Sequence, residues 1–329
     1  MEDTRFRLYS GDGRTIEDRK LELPPFEQPD DDPANYLADE GLCDAVNVAL
    51  ALGQPLLVTG EPGTGKTQLA GSVAYQLKLD KPLVFHAKTT STAKDLFYRY
   101  EALRHFHDSH FHRENVRTEP YISYEALGLA ILLSMPPKEA NPHLPEFLRD
   151  QGPRRSVVLI DEIDKAPRDF PNDVLDEVEN LRFIVKETGQ KFSANQRYRP
   201  ILILTSNSEK NLPDAFLRRC VFYHIAFPDE RRLQQIVQRR LKMDSRFFTP
   251  QMLDHAIRHF TKIRQMALKK NPATAEFLAW VRIFKEMKID AGLKPGENEA
   301  VAMTYSILAK NPEDLARLRK DLKETGSPQ

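Results

Sequence analysis

The chain has 329 residues, 40% apolar and 29% charged, the composition of a globular protein with a sizeable core. Its 48 basic and 48 acidic side chains cancel, which argues against a dedicated nucleic-acid binder, whose affinity rests on an excess of phosphate-neutralising cations. Two cysteines, Cys43 and Cys220, build neither a disulfide framework nor a metal cluster and fit a reducing compartment. The N-terminus lacks an apolar leader, and the longest apolar stretch, 126–135, is about half of a membrane span, so a cytoplasmic protein without membrane spans is expected.

The charge is unevenly spread: net −5 over residues 1–35, −2 over 36–228 and +7 over 229–329. Two expected boundaries fall at these sign changes, which separate an acidic N-terminal arm and linker (1–35), a core (36–228) and a helical region (229–310). The third, before a C-terminal helix and tail (311–329), falls at Asn311-Pro312. The linker carries the run PPFEQPDDDP at 24–33, which reads as extended.

Within the core, Leu42, Val46, Val48, Ala49 and Leu52 predict a buried helix over 39–52. Four short runs of Leu, Ile and Val follow, at 55–59, 82–87, 156–160 and 201–205. They lack polar alternation, as parallel strands covered on both faces do. Helical patterns separate them, among them 66–78 with Leu69, Ala70, Val73, Ala74 and Leu77 on one stripe. Strands interleaved with helices mean an α/β fold with a parallel sheet, which binds ligands at the carboxyl ends of its strands. Residues 183–187 and 191–194 read as a β-hairpin around Thr188-Gly189-Gln190. Beyond Pro228 only helical patterns remain, at 233–241, 251–267, 273–291 and 298–309. A final helix, capped by Asn311-Pro312, carries Leu315, Leu318 and Leu322.

The strongest chemical signal is Gly60-Glu61-Pro62-Gly63-Thr64-Gly65-Lys66-Thr67, a complete G-x-x-x-x-G-K-[ST] phosphate loop between an apolar strand and an amphipathic helix, with Gln68 behind it. Glycines let backbone N–H groups curl round phosphates, and the helix N-terminus adds partial positive charge. Lys66 is placed to reach the β- and γ-phosphates of a bound nucleotide and Thr67 to set its hydroxyl on Mg²⁺. The strand at 156–160 ends in Asp161-Glu162, with Asp164 two residues on. Such an aspartate orients the Mg²⁺ shell, and its glutamate neighbour polarises a water for attack on the γ-phosphorus. The strand at 201–205 leads to Asn207, which at that tip would lie between the acidic strand and the phosphate loop and hold the attacking water. Arg218 and Arg219 are either solvated charges or, in a ring ATPase, groups that reach a neighbour's γ-phosphate.

Together these stretches resemble the AAA+ ATPases, and within them the MoxR branch. The matching segments are 42–70 (LCDAVNVALALGQPLLVTGEPGTGKTQLA), 157–166 (VVLIDEIDKA) and 204–220 (LTSNSEKNLPDAFLRRC), and the resemblance spans residues 36–290. It implies a P-loop αβα sandwich followed by a smaller all-α lid after Pro228, and hydrolysis of ATP with Mg²⁺. It makes Asp161 and Glu162 the Walker B pair, Asn207 the first sensor, and Arg218 and Arg219 trans-acting fingers. It further implies a hexameric ring, chaperone-like work on a protein client, a partner with a von Willebrand factor A domain, and the 183–194 hairpin near the pore. A nucleic-acid-dependent motor or loader and a nucleotide-sensing scaffold are the competing functions. One departure stands out: where such lids carry a second-sensor arginine after a small-residue-Pro pair, Asn271-Pro272-Ala273-Thr274-Ala275-Glu276 puts Ala275, with Arg282 the nearest substitute.

Four histidines, His105, His107, His110 and His112, fall within eight residues. Such density suits zinc, but no closed four-ligand spacing is present and the tract reads as a solvated loop. The aromatics Phe97, Tyr98, Tyr100, Phe106 and Phe111 around it are either core or the client-facing side of the family's helix-2 insertion.

Overall fold

The computed structural model describes residues 32–111, 117–208, 212–241, 249–287 and 298–325. It divides into two compact units, one spanning Asp32–Phe227 and one that includes Pro228–Gln329. Most of the acidic arm, His112, positions 209–211 of the matching segment 204–220, and positions 288–291 of the expected helix 273–291 lie outside the described residues.

In the first unit the strands are Leu56–Gly60 (β1), Leu83–His86 (β2), Tyr98–Tyr100 (β3), Ile122–Tyr124 (β4), Val157–Asp161 (β5), Arg182–Ile184 (β6), Lys191–Ser193 (β7), Ile201–Ser206 (β8) and Val221–Ile225 (β9). Five of them form a parallel sheet in the order β2-β5-β8-β1-β9. The four apolar runs are all in it. The fifth strand, β9, is one that continuous apolarity does not reveal: it closes an edge, with Phe222 and His224 exposed and Val221 and Tyr223 half-buried. An edge strand covered on one side reads as alternation, not as an apolar run.

The helices explain why the inner strands are apolar throughout. Leu57, Val158, Ile160, Leu202 and Leu204 point into one core cluster, while Leu56, Val58, Val157, Leu159 and Ile203 point into another. Successive side chains of a strand leave opposite faces, so both faces of the sheet are covered. Glu40–Leu52 (α1) and Lys66–Gln76 (α2) cover the second face with Leu42, Ala45, Ala49, Leu69 and Val73. Asp39 caps α1, its carboxylate accepting from the Leu42 N–H at 2.8 Å. Val48 and Leu52, expected inside, are exposed because the buried face follows Leu42, Ala45 and Ala49; Leu77, just past α2, is exposed as well.

Ala102–Phe111 (α3) is the histidine tract, a helix and not the expected loop. It has no buried residue, and it connects the strands of the small β3–β4 sheet. Among the described residues no group of His, Cys, Asp and Glu is placed to hold a metal ion, so the zinc option gains no support there. Of the neighbouring aromatics, Phe97 and Tyr98 are core, whereas Phe106 and Phe111 are 69% and 67% exposed. Ala126–Ser134 (α4), almost wholly buried, covers the first face against β2 and β5. Short helices Pro137–Ala140 (α5), Phe170–Asp173 (α6), Leu175–Asn180 (α7) and Asp214–Leu217 (α8) link the remaining strands. The expected hairpin is β6–β7, antiparallel, with the Phe183 and Phe192 rings 5.1 Å apart.

The second unit contains Glu230–Arg240 (α9), Pro250–Gln265 (α10), Thr274–Met287 (α11), Asn298–Thr304 (α12) and Pro312–Thr325 (α13), with no strand among its described residues. Trp280, Phe260, Phe277, Phe284 and Tyr305 form its aromatic centre. His259 is buried there, 2.7 Å from the Tyr305 hydroxyl and stacked on Trp280. Asn311 caps α13 by accepting from the Asp314 N–H at 2.8 Å. On α11, Ala275 is exposed and Arg282 is half-buried. Among the described residues no helix is long and apolar enough to cross a membrane.

Candidate functional site

The strand order places β8 between β5 and β1, so the carboxyl ends of these three strands stand side by side. Gly60 ends β1 with φ +151°, and a Cβ there would lie 2.7 Å from the Ile225 carbonyl oxygen, so only glycine fits. Gly65, the residue just before α2, has φ +89°, and a Cβ there would lie 3.3 Å from the ring of Tyr36. Between them the loop Glu61, Pro62, Gly63 is exposed, and Thr64 donates to the Glu61 carbonyl at 2.9 Å. Gln68, in the first turn of α2, is half-buried. Lys66 is 6% exposed, and its ammonium donates to the carbonyls of Gly60 (2.8 Å) and Glu61 (2.9 Å) and to Asn207 Oδ1 (3.1 Å). Burial lowers the Lys66 pKa, while the carboxylates of Asp164, Asp161, Glu162 and Glu61 act the other way.

Asp161 is buried at the end of β5. Its Oδ1 accepts from the hydroxyls of Thr67 (2.9 Å) and Thr205 (2.7 Å), and His86 Nδ1 is 3.3 Å from its Oδ2. At Glu162 the chain turns through the left-handed region, φ +55° and ψ +50°, a conformation that disfavours a non-glycine residue by roughly 1–2 kcal/mol. The Glu162 N–H donates to Thr205 Oγ1 at 2.8 Å, and its carboxylate meets the Lys165 ammonium, a contact that raises the Lys165 pKa. Asp164 accepts from the Asn207 N–H at 3.2 Å. Side-chain hydrogen bonds thereby pair Lys66 with Asn207 and Thr67 with Asp161. The backbone N–H of Asn207 adds Asp164 to the first pair, and Thr205, which takes the Glu162 N–H, adds Glu162 to the second.

Sequence reasoning missed three members of this arrangement. Thr205 reads as one more β-branched strand residue, and His86 as the end of an apolar run. The i,i+3 spacing of Glu162 and Lys165 is the one signal that was there to be used.

Arg218 and Arg219 lie elsewhere. They follow α8 and precede β9, whose Val221 N–H donates to the Pro55 carbonyl at the amino end of β1 (2.8 Å). Arg219 pairs with Glu179 at 2.8 Å and donates to the Ala215 carbonyl at 2.9 Å. With Arg199, Gly53 and Phe216 the two arginines line a cavity of about 310 Å³. β1 separates this cavity from the phosphate loop by roughly 16 Å, taking its five residues as extended chain. Within one chain the arginines and the phosphate loop are not brought together.

Residues 55–220 match the family model described as the AAA domain, dynein-related subfamily, a span that is half of the chain and holds the phosphate loop, Asp161, Glu162, Asn207, Arg218 and Arg219. The chain belongs to the AAA family. No curated protein matches it. An AAA domain binds nucleotide, typically with Mg²⁺, hydrolyses ATP, and typically works in rings. The donors in this AAA domain suit that metal: a threonine hydroxyl and a carboxylate, both hard oxygens, meet at 2.9 Å beside the phosphate loop.

Proposed function

We propose that the protein is a MoxR-like ring ATPase that hydrolyses ATP to remodel or activate protein clients. The carrying observation is the convergence of Lys66, Thr67, Asp161, Glu162 and Asn207 at the carboxyl ends of three adjacent strands. In this account residues 60–68 cradle the phosphates, with Lys66 on the β- and γ-oxygens. Thr67 and Asp161 would hold Mg²⁺, which neutralises phosphate charge. Four carboxylates act on Lys66, so a polyphosphate is accommodated here together with a cation and not alone.

Glu162 and Asn207 position the water whose oxygen attacks the γ-phosphorus. The bond to the β–γ bridging oxygen breaks, ADP leaves, and Glu162 takes the water's proton. Arg218 and Arg219, remote from their own phosphate loop, act on the nucleotide of the next subunit in a hexamer. The proposed organisation is an acidic arm (1–35), an AAA core (36–228), a helical lid (229–310) with Ala275 at the usual second-sensor position and Arg282 as the nearest arginine, and a C-terminal helix and tail (311–329). The proposed client surface is α3, whose Leu103, Phe106 and Phe111 are exposed, with the β6–β7 hairpin as a second pore element. A von Willebrand factor A-domain protein is the partner in this proposal.

The test is light scattering behind a sizing column on Glu162→Gln, with and without Mg²⁺-ATP, alongside a turnover assay. ATP-dependent growth to a closed oligomer with turnover abolished is expected. A monomer under both conditions would remove the ring, and unchanged turnover would remove Glu162 from its role.

A further inference from the structure

Thr205 sits near the end of β8, in a strand otherwise built of Ile and Leu up to that point, and is 0% exposed. A hydroxyl there needs partners, because a buried polar group without one is costly. It has two, and both belong to the hydrolytic site. The pairing of Ile160 with Leu204 brings Thr205 beside the next residue of β5, Asp161. There the hydroxyl donates its proton to Asp161 Oδ1 at 2.7 Å and accepts the Glu162 N–H at 2.8 Å.

The two bonds do different jobs. The first, with the Thr67 hydroxyl on the same oxygen, fixes the rotamer of Asp161 from two sides. The second stands where the strand ladder has ended and the backbone turns left-handed at Glu162. It gives that N–H an acceptor and so holds a turn that a glutamate does not favour on its own.

We propose that Thr205 is the positioning residue of the hydrolytic site, its single hydroxyl aiming both the Asp161 and the Glu162 carboxylates. This rests on the roles given to those two acids above. If Thr205 were only a strand residue that happens to carry a hydroxyl, valine, of the same shape, would replace it without effect on catalysis. If it positions the acids, valine leaves the Glu162 N–H without its acceptor and Asp161 with one donor fewer, while serine preserves both bonds.

The experiment compares Thr205→Val, Thr205→Ser and Thr205→Ala in the full chain, with Glu162→Gln as control. It reads kcat, KM and equilibrium affinity for ATP, thermal melting, and hydrogen exchange across residues 161–165. Thr205→Val and Thr205→Ala should lose about tenfold or more in kcat with ATP affinity within about threefold, and exchange at Glu162 should quicken. Thr205→Ser should stay within about threefold of the wild type in every reading. Should the valine variant fail to fold, the serine–alanine pair decides by the same criteria. Thr205→Val or Thr205→Ala turning over like the wild type, or Thr205→Ser falling as far as they do, would overturn the proposal. Unchanged turnover in Glu162→Gln would instead overturn the assignment beneath it.

Discussion

Lys66 and Asn207 are 141 residues apart in sequence, yet the ammonium of one donates to the amide oxygen of the other at 3.1 Å. The contact ties the first turn of α2 to the tip of β8 and leaves the lysine two carbonyl partners of its own loop. Removing the amide should therefore spare nucleotide binding and harm the chemical step. We expect Asn207→Ala to lower single-turnover hydrolysis by about ten- to a hundredfold with ATP affinity changed only a few-fold. Affinity that collapses in step with the rate would assign Asn207 to binding instead.

The separation of Arg218 and Arg219 from the phosphate loop of their own chain gives a complementation test. The double variant Arg218→Ala/Arg219→Ala keeps Glu162; the variant Glu162→Gln keeps both arginines. Each alone should be nearly inactive, and mixed before ATP is added they should regain turnover, because some interfaces then pair an intact glutamate with intact arginines. A mixture no more active than its components would show that the arginines do not act across subunits.

On α3, Phe106 and Phe111 have most of their surface in water, so truncating them removes no core contact. Replacing both by alanine should leave basal ATP turnover and the melting temperature close to wild type while lowering stimulation by a client. Loss of folding, or full stimulation in the double variant, would refute the role given to this helix.

The helical unit carries a pH signature. Burial holds the His259 pKa down at about 4, against about 6.5 for the unfolded chain, with Lys262 lowering it further and Asp321 opposing. Above pH 6.5 the imidazole is neutral in both states. As pH falls from 6.5 toward 4 the unfolded chain takes up a proton that the folded one refuses, and about 3 kcal/mol of stability is lost. Denaturation of the wild type and of His259→Gln at pH 7, 6, 5 and 4.5 should give diverging slopes, the variant the flatter. Parallel curves would mean that His259 is protonated in the fold.

Much of this was legible because it depends on local pattern. Doubly covered strands must be apolar throughout, which exposed β1, β5 and β8, and the phosphate loop is a contiguous motif. β2 shows the same kind of run although it is an edge strand whose Val84 and His86 are exposed. β9 escaped because it is an edge strand whose Phe222 and His224 meet water. Val48 and Leu52 misled because a helix face is set by what it packs against, and the sheet took Leu42, Ala45 and Ala49. The histidine tract became a helix because Ala102–Phe111 has no interior breaker, and its polarity describes exposure, not irregularity. Thr205 and Glu179 were invisible for another reason: their partners, Asp161 and Arg219, lie about forty residues away in the chain, the first brought close by the strand order and the second by a helix, α7, meeting the turn after α8.

The direction of β1 has one more consequence. The strand runs from Leu56, beside the arginine cavity, to Gly60 at the phosphate loop, so the two sets of charged groups face opposite ways on every copy. In the proposed ring each polypeptide then owns half of two reaction centres and the whole of none. Specific activity becomes a property of the solution: it climbs with protein concentration and fades on dilution, and no rearrangement inside a single copy replaces a missing neighbour.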